Sequence, residues 1–137
     1  MKPQTFTTTI LTANSPTING RIYPKDVLEA IVESSKDKEI FGGGPGYDQD
    51  PHITLTDITH KVTNIRLEGD TLVCDIDLMN TPAGKPIVNL AISLNANSLD
   101  DMGLEVVPSG YGKISDDSVV TDYTLHCVNI IPIQKKS

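Results

Sequence analysis

Residues 58–79 have the sequence ITHKVTNIRLEGDTLVCDIDLM, which predicts two antiparallel β-strands joined by a tight turn. The second half, Thr71–Met79, alternates apolar and polar residues, as a strand does when one of its faces packs on a core. Glu68-Gly69-Asp70 is typical of the short connections in β-hairpins. In the first half neither alternating set of residues is fully apolar, so the pattern does not indicate which face of that strand is buried.

The residues before this hairpin predict a strand, a turn, a helix and a loop. Thr5–Thr12 is rich in β-branched residues, which favour strands, and the NSPTING sequence of residues 14–20 is typical of a turn. Pro24 suits a first helical turn, and an apolar helix face follows it up to about Lys36. The glycine-rich residues 42–51, GGGPGYDQDP, are expected to form a loop.

The residues after the hairpin predict a second helix and the last strands. Thr81–Lys85 interrupts the strand pattern and begins a helix with several aliphatic residues. Residues 95–102 are polar and predict a loop, and Leu104–Val107 predicts a short buried strand. Ser109–Gly112 contains two glycines and predicts a tight bend, after which residues 119–131 predict one or two strands.

The predicted order of elements is therefore β-α-β-β-α-β-β. Because only two helices are present and most strands are joined by short turns, we expect an α+β fold with a curved, mostly antiparallel sheet or barrel. Residues 1–137 are expected to form a single domain, since no linker or internal repeat divides them.

Composition excludes several classes of function. The chain has 38% hydrophobic residues but only 4% aromatic residues and no tryptophan, so its core must be aliphatic. Eleven basic residues against 18 acidic ones give a net charge of −7, which argues against a nucleic-acid partner. No apolar segment approaches the about 18 residues of a membrane span, and Met1-Lys2-Pro3 begins no signal peptide. We therefore expect an intracellular protein without a membrane partner.

Metal and cofactor sites are not expected either. The residues that most often bind transition metals are few: His52, His60, His126, Cys74 and Cys127. None of them has the spacing of a zinc site, and both cysteines lie in apolar segments typical of buried thiols in a reducing compartment. The Gly42–Gly46 sequence lacks the Lys-Ser/Thr pair that follows the glycines of a phosphate-binding loop.

Ser109 is the strongest candidate nucleophile on residue type alone. It follows the predicted strand Leu104–Val107 at a sharp bend, where a hydroxyl can be exposed. A serine nucleophile needs a base within hydrogen-bond reach, and His60 or His126 could provide it. An ordinary serine in a turn explains the same pattern, so both interpretations stay open.

Several segments together resemble a known family. The sequence resembles the capsid maturation (prohead core) proteases of tailed bacteriophages, whose fold is similar to that of herpesvirus assemblins. The resemblance covers roughly residues 10–132 and is carried by five segments: Asn19–Pro24 (NGRIYP), residues 53–63, Glu68–Asp70, Thr81–Lys85 and Gly110-Tyr111-Gly112. It implies a prohead-protease-like fold for nearly the whole chain.

The catalytic positions of this family are not kept. The resemblance places the catalytic histidine on Tyr47 or Asp50, neither of which accepts a proton from serine at neutral pH as imidazole does. It places the nucleophile on Val107, which has no nucleophilic atom. Ser109 lies two positions further on, about 6–7 Å away along a strand, and with His60 it would form the best remaining pair. The resemblance therefore implies a protease-like domain that has lost its catalytic residues, with no catalytic site expected.

The expected function is that of a non-catalytic structural virion protein of a tailed phage. Such a protein would be a capsid cement, decoration or minor capsid component, present in the host cytoplasm during assembly and then in the virion. Its partners would be the major capsid protein or other capsid or scaffold proteins, and self-association is a further expectation. Two alternatives remain open: an active maturation protease with rearranged residues, and an internal assembly protein of the scaffold stage.

Overall fold

The computed structural model describes residues 5–17, 20–44 and 57–133. This part of the chain has the predicted α+β class, with two α-helices. Its elements in chain order are β1 (Thr5–Thr12), α1 (Lys25–Ser35), β2 (Ile40–Gly42), β3 (His60–Glu68), β4 (Thr71–Leu78), α2 (Lys85–Leu94), a 3₁₀-helix (Asp100–Met102), β5 (Leu104–Ile114) and β6 (Val120–Pro132). The predicted site positions Tyr47 and Asp50, and also His52, lie outside the described residues.

The six strands form one sheet in the order β1-β4-β3-β2-β6-β5. All pairings in it are antiparallel except that of β2 with β6, where Phe41 is opposite Cys127. The sheet curls so that its two edge strands, β1 and β5, approach each other, and it forms a half-barrel. The predicted curved, mostly antiparallel sheet is thus confirmed.

Helix α1 covers the aliphatic core of the half-barrel. It begins directly after Pro24, whose φ of −63° suits entry into a helix. Val27, Leu28 and Ile31 are buried on one face, as their helical spacing predicts, and the helix packs against β6 and β3. Both cysteines are buried as well, in agreement with the sequence.

The ambiguous pattern of β3 has a structural cause. Its pairing with β4 is irregular between Thr63 and Arg66, and Asn64 has a φ of 52°. A bulge of this kind inserts an extra residue and reverses which side chains face inward. Before it Val62 is buried, and after it Ile65 and Leu67 pack against the core. The side chains that face the core are therefore at even positions before the bulge and at odd positions after it. A search for one regular alternation along the whole strand fails for this reason.

Two local predictions are wrong. Ser109–Gly112 does not form a bend but lies inside β5, which pairs with β6 over its whole length. A Cβ atom on Gly110 or on Gly112 would overlap carbonyl oxygens of β6, so these glycines permit close strand approach rather than a turn. The sequence pattern also missed β2, because its three residues are too few to show alternation.

The segment with the sequence RIYP, residues 21–24, lies between β1 and α1 in the chain and is hydrogen-bonded to the start of β6. The Ile22 amide donates to Ser118 at 2.9 Å, and the Val120 amide donates back to Ile22 at 2.8 Å. The ring of Tyr23 packs edge-on against Tyr123, with centroids 5.6 Å apart. These contacts hold the segment against the start of β6. Within the described residues, no helix is long and apolar enough to cross a membrane.

Candidate functional site

A buried polar cluster lies at the centre of the sheet, where β2 separates β3 from β6. Its main member is His60, the first residue of β3, which is fully buried and is opposite Gly42 of β2. The His60 Nε2 atom lies 2.5 Å from the carbonyl oxygen of Val128 on β6. The imidazole thus reaches across β2 and connects two strands that are not neighbours in the sheet.

Gly42 makes this connection possible. A Cβ atom at this position would overlap both the Val128 carbonyl oxygen and the His60 ring. Backbone and a buried ring cannot move away at small cost, so only glycine fits. The first glycine of the GGGPG sequence is therefore a packing requirement of His60.

The hydrogen bonds determine the tautomer of His60. A carbonyl oxygen only accepts, so Nε2 carries the proton and donates to Val128. Nδ1 then accepts from the Thr59 hydroxyl at 2.7 Å. Burial lowers the pKa of His60 to about 4, an effect that the Val128 hydrogen bond opposes only in part. At neutral pH the ring is uncharged and both its nitrogens are hydrogen-bonded.

The same cluster holds the chain on both sides of residues 45–56. The Gly43 amide donates to Asn129 Oδ1 at 2.9 Å, and the Gly43 carbonyl accepts from Ile130 at 2.9 Å. On the other side, the Thr59 amide donates to Gly42 at 2.9 Å. Asn129 is fully buried. The resemblance places the family's histidine between these two anchored ends.

Asn129, Thr59 and Gly42 were not identified by the sequence analysis. A signal for Asn129 exists in the sequence, since it is the only polar residue of the apolar segment CVNII, residues 127–131. A polar side chain inside a buried strand needs a hydrogen-bond partner, which marks it as part of a network. No comparable signal exists for Gly42, because its role depends on the ring of a residue 18 positions away.

The two candidate nucleophile positions lie on β5. Val107 is opposite Asn129 of β6 and is partly buried, and Ser109 is opposite Cys127 with 5% of its surface exposed. Val107 lines a cleft of about 390 Å³ between the edges of β1 and β5. The other lining residues are uncharged except Glu105: Thr9, Ile10, Leu11, Thr12, Ser15, Pro16, Thr17, Val106, Pro108 and Ile131.

The surroundings of His60 and of His126 differ from each other. Both ring nitrogens of His60 are occupied by Thr59 and Val128. His126 is exposed on β6, and its ring packs edge-on against Tyr111 at 5.0 Å between centroids. A general base for Ser109 needs a ring nitrogen that can accept its proton, and His60 offers none in this arrangement. Among the described residues, no three His, Cys, Asp or Glu side chains cluster as a metal site requires.

The curled six-stranded sheet with a helix over its core gives the described residues a prohead-protease-like fold. A solved structure with this fold is the capsid assembly protease gp21 of bacteriophage T4. It matches this chain with a TM-score of 0.76 and 15% sequence identity, over 95% of this chain and 82% of that chain. The prediction of a prohead-protease-like fold is thus confirmed, and at this identity the likeness concerns the fold alone. No protein-family model and no curated protein matches the sequence.

Proposed function

We propose that this chain is a non-catalytic capsid protein of a tailed phage, built on a prohead-protease-like fold. The proposal rests on one observation: the position where the resemblance places the nucleophile is occupied by the aliphatic residue Val107, in β5. A side chain without a heteroatom cannot attack a peptide carbonyl. The partners would be the major capsid protein or other capsid or scaffold proteins, and the location would be the capsid.

The state of the remaining serine and histidine supports the proposal. Ser109 is almost fully buried within a paired strand, so a peptide bond has little access to its hydroxyl. The low pKa of His60 results from burial, and the described hydrogen-bond partners of its ring are a hydroxyl and a backbone carbonyl, not a carboxylate of the kind that orients a catalytic base. His60 therefore has the surroundings of a structural histidine.

Proteolysis assays test this proposal directly. The protein would be incubated with the capsid and scaffold proteins of the same phage, beside the Ser109→Ala variant as a matched control. A fluorophosphonate probe would be applied to both proteins at neutral pH. We expect no cleavage and no labelling in either case. Cleavage or labelling that disappears in Ser109→Ala would overturn the proposal in favour of an active protease.

The stage of capsid assembly at which the protein acts is tested by comparing procapsids with mature virions. Quantitative mass spectrometry of purified procapsids and mature virions would measure its copy number against the major capsid protein. A stoichiometric presence in mature virions is expected for a cement or decoration protein. Presence in procapsids and loss from virions would instead assign it to the scaffold stage.

A further inference from the structure

Helix α2 exposes several large apolar side chains, while Ile87 and Val88 pack against the core. Of its ten residues only Ala91 is fully buried, and the helix packs against the 3₁₀-helix that follows it. Leu90, Ile92 and Leu94 are 39%, 46% and 53% exposed. A surface helix normally turns its apolar residues towards the core, and a group of exposed leucines often marks an interaction site.

Two of these exposed residues, Leu90 and Leu94, lie in one line with the exposed Pro86. Pro86, Leu90 and Leu94 are four residues apart, which places them above one another on the same side of the helix. No charged residue occurs from Pro86 to Leu99, although 21% of the chain is charged. Two copies of a protein with a net charge of −7 repel each other over most of their surfaces. The uncharged residues of this line do not contribute to that repulsion.

The charges at the two ends of α2 are placed opposite to what a single helix favours. Lys85 is the first residue, at the positive end of the helix dipole, and the first turn contains no acidic residue. The last turn contains no basic residue, and the backbone amides of Asn95 and Ala96 cap its carbonyl groups. The 3₁₀-helix adds the exposed carboxylate of Asp100 after this end. The helix therefore has a cation at its start and a carboxylate after its end.

We propose that α2 is a self-association surface, on which a second copy of this chain packs its own α2 in the antiparallel direction. A two-fold axis near Leu90 would place this leucine against its equivalent and Leu94 against Pro86 of the second copy. Lys85 would then lie beside the C-terminal end of the second α2 and its Asp100. A surface whose two ends complement each other in this way fits an isologous dimer better than an unrelated partner. This inference is independent of whether the protein cleaves peptide bonds.

The interface formed by one ten-residue helix is small. It falls below the about 1,000 Å² that stable interfaces bury, so the dimer would be in reversible exchange with the monomer. In a capsid, a weak contact of this kind gains strength because neighbouring copies are held close together.

Sedimentation equilibrium over a wide concentration range would test the dimer and its surface. We expect Leu90→Lys to weaken dimerisation about tenfold or more, because a lysine at the axis would be desolvated opposite its equivalent. Ile114→Lys is the matched control, since Ile114 is 46% exposed on β5 outside α2. Circular dichroism would verify that both variants fold. A wild-type protein that stays monomeric throughout, or equal effects of both variants, would overturn the proposal.

Charge-reversal variants test whether the two α2 helices pack in the antiparallel direction. Lys85→Glu and Asp100→Lys should each weaken self-association, because each places like charges together at both ends of the dimer. An equimolar mixture of the two variants should associate again, since opposite charges then meet at both ends of the heterodimer. Association of the mixture no stronger than that of either variant alone would contradict the antiparallel arrangement.

Discussion

The His60 imidazole donates to the Val128 carbonyl at 2.5 Å across the intervening strand β2, which at this point contributes Gly42. This bond joins β3 and β6, which come from distant parts of the sequence. It also leaves a hydrogen-bonded, uncharged histidine at the start of β3. The polar cluster around His60 is thus part of the core of the sheet.

Gly42→Ala should destabilise the protein strongly. Its methyl group would overlap the Val128 carbonyl oxygen and the His60 ring, so we expect a loss of about 2–4 kcal/mol in the free energy of unfolding. Urea denaturation followed by circular dichroism measures this loss. Gly44→Ala is the matched control, because its nearest neighbouring atom would be 4.0 Å away. Equal effects of the two substitutions would show that the His60 ring and the Val128 carbonyl oxygen do not lie as close to Gly42 as described.

The stability of the fold should decrease with acidification because of His60. Its pKa is lowered from 6.5 to about 4 by burial, so below about pH 6.5 the unfolded chain binds a proton that the folded protein excludes. The stability supplied by the neutral ring is complete above that pH and is lost as the pH falls towards 4. The loss over this range amounts to about 3 kcal/mol.

Urea midpoints at pH 7, 6, 5 and 4.5 would measure this dependence. His60→Gln should be less stable at pH 7 but should lose less stability on acidification than the wild type. His126→Gln, which changes an exposed histidine, is the comparison for the loss of one histidine. An unaltered pH dependence in His60→Gln would assign the effect to other groups.

Asn129→Ala should release the chain before residue 45. The substitution leaves the buried Gly43 amide without its acceptor at 2.9 Å, which we expect to cost about 1–3 kcal/mol. Amide hydrogen exchange by NMR should show faster exchange at Gly43 and at Ile130, which bonds the Gly43 carbonyl. Amides of the β3–β4 hairpin provide an internal reference. Unchanged protection at Gly43 would mean that Asn129 does not hold this segment.

Ser35→Ala should stabilise the protein slightly. Among the described side chains, the Ser35 hydroxyl is buried and has no hydrogen-bond partner. Removing a buried, unsatisfied polar group, and adding the better helix former, should raise the unfolding free energy by about 1 kcal/mol. Ser34→Ala provides the comparison, because that hydroxyl donates to Ile31 at 3.3 Å. Destabilisation by Ser35→Ala would indicate that its hydroxyl is satisfied in solution.

Local sequence patterns were sufficient for the elements that depend on short-range preferences. Strand β4 follows from alternation, the hairpin turn from Gly69, and the two helices from their apolar residues after Pro24 and Thr81–Lys85. Ser109–Gly112 was mistaken for a bend because glycine has two uses, turning the chain and allowing strands to approach. Which use applies depends on the facing strand, and that strand is not part of the local sequence.

The sequence by itself determined the fold class and the aliphatic core, because composition and periodicity are properties of the local sequence. Only the tertiary structure decided that His60 is a neutral core residue bonded to Val128. It also decided that Asn129 anchors Gly43 and that the leucines of α2 are exposed. Each of these facts depends on what packs around a side chain, and such neighbours come from segments far apart in the chain.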